Sequence, residues 1–189
     1  MKNIILKSSS PRRKEILKRL GYDFQIKVYN VDETMDDNLT PYENVKLMGL
    51  KKASSHQEED YGSILIGCDT IVVLDNKIYG KPKDREDCFN MLKSLSGRYH
   101  EVLSGVGVIY KDKIYNFVES SKVYFKELSD KDINDYIDTK EPFDKAGGYA
   151  IQGIGNKLVL KYEGSFDNIV GLPSERLKKV LDEINGIKD

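Results

Sequence analysis

Two cysteines, Cys68 and Cys88, are too few for a disulfide framework or a four-ligand zinc site. The two histidines, His56 and His100, lie far apart and show no metal-ligand spacing. No stretch approaches the ~20 apolar residues of a membrane span. The opening MKNIILKSSS holds an apolar run of only three residues, short of a signal peptide. Neither sign of charge is in excess: 30 Lys and Arg face 31 Asp and Glu, a net charge of −1. A chain so balanced is not built as a bulk polyanion binder, so nucleic acid is not the default partner and any anion site must be local. Internal repeats, low-complexity tracts and Pro/Gly/Ser-rich linkers are also missing. Together these absences point to a reduced, cytoplasmic protein that does not touch a membrane.

What is present is an ordinary globular composition. Hydrophobic residues make up 39% and charged residues 32%, the latter above the roughly 25% average. The 189 residues are read as a single domain over 1–189. NIILK (3–7) reads as a short buried strand; Ser10 then caps a helix with Pro11 at its first position and Gly21 past its end. DFQIKVYN (23–30) alternates like a half-buried strand. Thr40, Pro41 and Glu43 form a capping box ahead of a helix over 40–54. SILIGCDTIVVL (63–74) reads as a central strand, turned at Asp75-Asn76. Asp84 caps the next helix, two long strands meet near Lys111-Asp112, and Ser129 caps a helix over 129–138. GYAIQGIG and KLVLKYEGS are strand-like, and a last helix over 173–185 ends at Gly186. Alternating helices and strands with hairpins predict an α/β fold with a mixed sheet flanked by helices, in two lobes.

The chemistry starts at KSSSPRRKEIL, residues 7–17. A helix N-terminus carries partial positive charge, so Arg12 and Arg13 there cost roughly 0.3–1 kcal/mol each unless something answers them. Unpaired backbone N–H groups, the hydroxyls of Ser8, Ser9 and Ser10 and two guanidinium forks would all suit a phosphate. Arg13 also shares a face with Ile16, Leu17 and Leu20, so it lies near the buried side. The alternative is a capped surface helix with solvated arginines. Asp69 interrupts the most apolar segment of the chain, and a carboxylate there needs a partner, a metal or a backbone amide. Thr70 beside it adds a hydroxyl. Asp32 and Glu33 follow a strand, Lys81 is held between Gly80 and Pro82, and Lys52 sits inside the second helix, where spacing alone reads it as solvated. EPFDKAGGYAIQG (141–153) carries Gln152, which on a strand near glycines could read a base edge. GVGVIY and GIGNKL contain G-x-G, but neither opens a helix, so neither is a dinucleotide fingerprint. Cys68 reads as small core filling and His100 as a structural histidine.

The motifs SSSPRR, VDE, KKA, GCDTIV, GKP, LSGRYHEV, EPFDKAGGYAIQG and GSFDNIVGLP occur in one order over most of the chain. Taken together they resemble the Maf family of nucleoside triphosphate pyrophosphatases. The resemblance implies an ITPase-like fold with a central cleft and Mg²⁺- or Mn²⁺-dependent hydrolysis of a nucleoside triphosphate to monophosphate and pyrophosphate. By matching motif it makes Asp69 the general base. It places Ser8, Arg13, Lys52 and Lys81 on the phosphate chain, and Glu33 and Asp69 on the metal. Arg12, Thr70 and Gln152 stand at the positions that separate the family's branches and resemble the dTTP/UTP branch, whereas the 7-methyl-GTP branch has Trp, Gln and Glu. Gln152 alone would not exclude CTP, because a flipped amide matches cytosine. Three positions depart from the pattern: Lys7, which adds charge beside the phosphate turn, and Gly49 and Ser174, read as peripheral. A homodimer is compatible with this reading. The rival class is a non-catalytic division regulator or a nucleic-acid binder using the arginine turn.

Overall fold

The structure is a computed structural model that describes residues 1–186. Its elements run β1 (Ile4–Leu6), α1 (Pro11–Arg19), β2 (Gln25–Ile26), α2 (Pro41–Ser54), β3 (Ile64–Leu74), β4 (Lys77–Tyr79), α3 (Arg85–Leu95), β5 (Tyr99–Tyr110), β6 (Lys113–Phe125), α4 (Asp130–Asp138), β7 (Val159–Glu163), α5 (Phe166–Val170) and α6 (Ser174–Asn185), with short 3-10 turns between. The strands form one seven-stranded sheet in the order β2-β1-β3-β5-β6-β7, with β4 paired to β3. β1 runs parallel to both β2 and β3, while β4 and β7 are antiparallel to their neighbours. The sheet is therefore mixed and the class α/β, as the sequence predicts. Among the described residues no helix is long and apolar enough to cross a membrane.

The chain divides into two compact units. The first comprises 1–70, 104–119 and 171–189. Local signals start its helices as expected: the Ser10 side chain accepts from Arg13 N with Pro11 next in line, and Thr40 and Glu43 form a reciprocal capping box. Ile4, Ile5, Leu6, Leu17, Ile64, Ile66, Leu172 and Leu177 are its largest fully buried apolar side chains. The helix α2 lies very close to the sheet because glycine meets it on two strands. A Cβ on Gly67 would stand 2.5 Å from Gly49 O, and one on Gly105 would stand 1.8 Å from Val45 O. A Cβ on Gly107 would meet Leu50 Cα at 2.6 Å. Gly49 is thus not peripheral: it is the helix side of a backbone-to-backbone seam. The G-x-G of GVGVIY, empty of nucleotide meaning, places two glycines on one strand face to admit this helix.

The second unit comprises 71–103 and 120–170. Asp75 and Asn76, both at positive φ, make the tight turn between β3 and β4. Leu92, Leu95, Ile133 and Ile137 are fully buried in it. A ring cluster of His100, Phe125 and Tyr149 packs edge to face, with centroids 4.7–5.3 Å apart.

Two expected strands differ. Residues 23–30 pair only at Gln25–Ile26, because Lys27 and Tyr29 instead bond the buried side chain of Asp60, at 2.6 and 3.2 Å. GYAIQGIG is no strand: Tyr149–Gln152 form an irregular bend between the 3-10 turns Ala146–Gly148 and Gly153–Leu158. Gly147, Gly148 and Gly153 all have positive φ, which a strand ladder cannot continue through. Gln152 therefore sits on a turn, not on a strand. The five-residue helix α5 within GSFDNIVGLP has no counterpart in the sequence reading.

Candidate active site

Gly67-Cys68-Asp69-Thr70 lie in the middle of β3, and successive side chains there face opposite sides of the sheet. Gly67 and Asp69 face α2, while Cys68 and Thr70 reach toward Arg13 and Gly171. This middle stretch of β3 is thus approached by Arg13 from one side and by Lys52 from the other.

Arg13 is held by three oxygens. Its Nε donates to Gly171 O at 2.8 Å, its Nη1 to Ser8 Oγ at 3.2 Å and its Nη2 to Thr70 Oγ1 at 3.0 Å. Every one of these acceptors is neutral, so the guanidinium is oriented without being neutralised. The helix adds to the imbalance, since its first turn contains no acidic residue. Arg12, half-buried beside it, makes no hydrogen bond or ion pair among the described residues. Ser8, just past β1, is buried and also accepts from Ser10 N at 3.2 Å. Thr70 Oγ1 lies 2.9 Å from Ser104 Oγ and 3.3 Å from Gly171 O. Gly171, at φ +136, is a position few side chains tolerate, and its carbonyl gathers donors from Arg13, Thr70 and Cys68. Cys68, whose thiol burial pushes upward in pKa, donates to that carbonyl and is core, as its setting indicated.

On the α2 side, Lys52 Nζ lies 2.9 Å from Asp69 Oδ1 and 2.5 Å from Glu33 Oε1. Its side chain is only 15% exposed, so the solvated-helix reading is wrong; the glycine seam brings its helix close enough to reach Asp69. Burial pulls the Lys52 pKa down, but Asp69 and Glu33 outweigh it and leave the pKa raised. The two acids after β2 divide their work. Asp32 turns back to accept from Thr34 N and Oγ1, at 2.9 and 2.6 Å, which frees Glu33 to reach Lys52. Among the described residues no three of His, Cys, Asp and Glu gather as a metal site. Two carboxylates do converge on one cation, a hard-oxygen pair of the number that Mg²⁺ or Mn²⁺ takes alongside phosphate oxygens.

Lys7 departs from expectation. Its ammonium is buried away from the serine turn, 3.3 Å from Asp60 and 4.4 Å from the Tyr29 ring centre. Burial lowers its pKa, against the pull of Asp60. Burial would raise the Asp60 carboxyl, but Lys27, the Gln57 N–H and Lys7 together hold it well below the ordinary carboxylate range.

Two predicted site residues belong to the second unit. Lys81 is exposed between Gly80 and Pro82 and makes no hydrogen bond or ion pair among the described residues. Gln152 is exposed and precedes the 3-10 turn Gly153–Leu158, its carboxamide likewise unbonded among the described residues. The sequence reading missed Ser104, the role of the Gly171 carbonyl and the seam that carries Lys52. Of these, only the paired spacing of Gly105 and Gly107 left a readable signal.

Residues 3–184 match the family described as Maf-like protein. The chain is similar to a dTTP/UTP pyrophosphatase of Caldicellulosiruptor bescii, 44% identical over 190 residues that cover 97% of this chain and 96% of that protein. It is similar to another of that name from Bacillus cereus, 44% identical over 185 residues and covering 98% and 91%. Among solved structures, the Staphylococcus aureus Ham1 protein aligns over 99% of this chain and 100% of its own, with TM-score 0.56 and 15% identity, a likeness of fold.

Proposed function

This chain belongs to the Maf family, and from that premise we propose that it hydrolyses dTTP and UTP to the nucleoside monophosphate and pyrophosphate. The observation that carries the reading is Arg13. A guanidinium fixed by three neutral oxygens at an acid-free helix N-terminus is a positive charge that an anion must answer. Lys52 and Asp69, paired at the same stretch of β3, supply the rest of the chemistry.

A triphosphate carries about four negative charges, and cations must offset them before water can approach phosphorus. Arg13, Arg12, the Ser8 hydroxyl and the N–H groups of α1 bind the phosphate chain in this reading. Lys52 has three N–H donors; two go to Glu33 and Asp69, and the third is available to a phosphate oxygen. Lys81 binds a phosphate oxygen in the same reading. Lys52 also orients the Asp69 carboxylate, which accepts the proton of the attacking water. The water oxygen adds to the α-phosphorus, the α–β bridging bond breaks and pyrophosphate leaves. Glu33 and Asp69 would hold Mg²⁺ or Mn²⁺, which when bound neutralises charge on the phosphates. Gln152 reads the base: uracil and thymine offer an N3–H donor beside the O4 acceptor, and a carboxamide meets both. The protein works in the cytoplasm, where these nucleotides are.

The test is pyrophosphate release from dTTP with Mg²⁺. The reading expects release from the natural protein and its loss in Asp69→Asn at unchanged melting temperature. Salt-sensitive RNA binding without pyrophosphate release would overturn it in favour of a nucleic-acid binder.

A further inference from the structure

The turn that carries Gln152 is tied down on one side by a carboxylate and on the other by the phenol bonded to it. Glu141 Oε2 accepts from Gly155 N at 2.9 Å, and Oε1 accepts from Ile154 N at 3.2 Å. The Tyr136 hydroxyl donates to Oε2 at 2.6 Å and accepts from Ala150 N at 3.2 Å. Backbone two residues before Gln152 and two residues after it therefore hangs on the Tyr136–Glu141 pair. Glycines complete the fit. Gly153, at φ +73, leaves vacant the space where a Cβ would meet Glu141 Oε1 at 2.5 Å. A Cβ on Gly155 would meet the Tyr136 hydroxyl at 2.7 Å. Glu141 is itself anchored, its N donating to Thr139 Oγ1 at 3.2 Å and its carbonyl accepting from Lys145 Nζ at 2.9 Å. Burial, and then the bond to Glu141, raise the Tyr136 pKa, so the phenol stays a donor at any working pH.

Glu141 accepts three protein hydrogen bonds, from the Tyr136 hydroxyl, Ile154 N and Gly155 N. Its geometry serves the turn. We infer that Glu141 and Tyr136 are positioning residues for base choice: they fix the backbone from which Gln152 projects. This rests on the reading of Gln152 given above. A carboxamide on a loose turn would swing and flip, and would then meet cytosine as well as uracil or thymine. A carboxylate suits the task because it accepts from three donors at once. A glutamine in its place would turn an NH₂ group toward one of those donors.

The test compares kcat/KM for dTTP, UTP, CTP and GTP, by pyrophosphate release, in the natural protein and in Gln152→Ala, Glu141→Gln, Tyr136→Phe and Gln152→Ala with Glu141→Gln. Melting temperature is followed for each. The expected result is that Glu141→Gln lowers the dTTP-to-CTP ratio by about tenfold, the discrimination that one well-placed hydrogen bond supplies. Tyr136→Phe lowers it less, and Glu141→Gln adds nothing once Gln152 is alanine. If Gln152→Ala shifts the ratio while Glu141→Gln and Tyr136→Phe slow all four nucleotides equally, the pair is merely structural and the inference falls. If Gln152→Ala leaves the ratio unchanged, the base-reading role itself falls and takes the inference with it. Should Glu141→Gln fail to fold, Tyr136→Phe, which removes one hydroxyl, decides alone.

Discussion

Gly49 of α2 and Gly105 of β5 meet backbone to backbone: a Cβ on Gly49 would lie 2.3 Å from Gly105 O. Three residues after Gly49 on the same helix stands Lys52, bonded to Asp69. The seam is thus what brings an ammonium from a helix to a carboxylate on a strand.

Gly105→Ala will force α2 off the sheet. Alanine is about 0.5–1 kcal/mol better than glycine within regular structure, but a Cβ 1.8 Å from Val45 O cannot be accommodated in place. Overpacking of this kind costs about 1–3 kcal/mol, and the clash wins. Urea unfolding should show that loss. Pyrophosphate release should fall by more than the fraction unfolded accounts for, because Lys52 is displaced.

Arg13→Lys keeps the charge and loses the fork. Arg13 spreads its bonds over Ser8, Thr70 and Gly171, acceptors that one ammonium cannot meet in the same geometry. Steady-state kinetics should show kcat/KM for dTTP reduced about 10²-fold, with a melting temperature within a few degrees of the natural protein.

The buried Lys7–Asp60 pair is asymmetric. Without Lys7, Asp60 still has Lys27, Tyr29 and Gln57 N. Without Asp60, the Lys7 ammonium keeps, among the described residues, only the face of Tyr29. Asp60→Ala should therefore destabilise by about 3–5 kcal/mol, the cost of breaking a buried pair, and Lys7→Met by less. Denaturant melts of the two variants check the order.

His100 makes stability depend on acid. Burial pushes its pKa down from 6.5 to about 4, its Nε2 shares a 2.6 Å bond with the Tyr149 hydroxyl, and its Nδ1 is buried without a partner. Between those pH values the unfolded chain binds a proton that the folded one does not, so stability rises with pH. Acidification from pH 6.5 to 4 should cost about 3 kcal/mol. His100→Phe should flatten that slope in unfolding free energies measured across the window.

Legibility in the sequence followed the range of the signal. Helix starts at Ser10, Thr40, Asp84 and Ser129 were readable because capping is local, and the side-chain bonds are present at all four. Asp69 and Arg13 stood out because each breaks a local rule, and their answers, Lys52 and Gly171 O, lie 17 and 158 residues away in sequence. Alternation misled at 23–30, where the inward residues serve Asp60 rather than a ladder. Lys7 misled because adjacency in sequence says nothing of where a long side chain turns. The Glu141 clasp was invisible for the same reason: its carboxylate acts on main-chain N–H groups 13 and 14 residues on, which carry no residue signature.

The central claim is that the site built on Asp69, Lys52 and Arg13 directs water to the α-phosphorus of a nucleoside triphosphate. Hydrolysis of dTTP in oxygen-18 water, followed by mass analysis of both products, tests it most directly. The account predicts the label in dTMP and none in pyrophosphate. Label in pyrophosphate, or release of orthophosphate in its place, would contradict it.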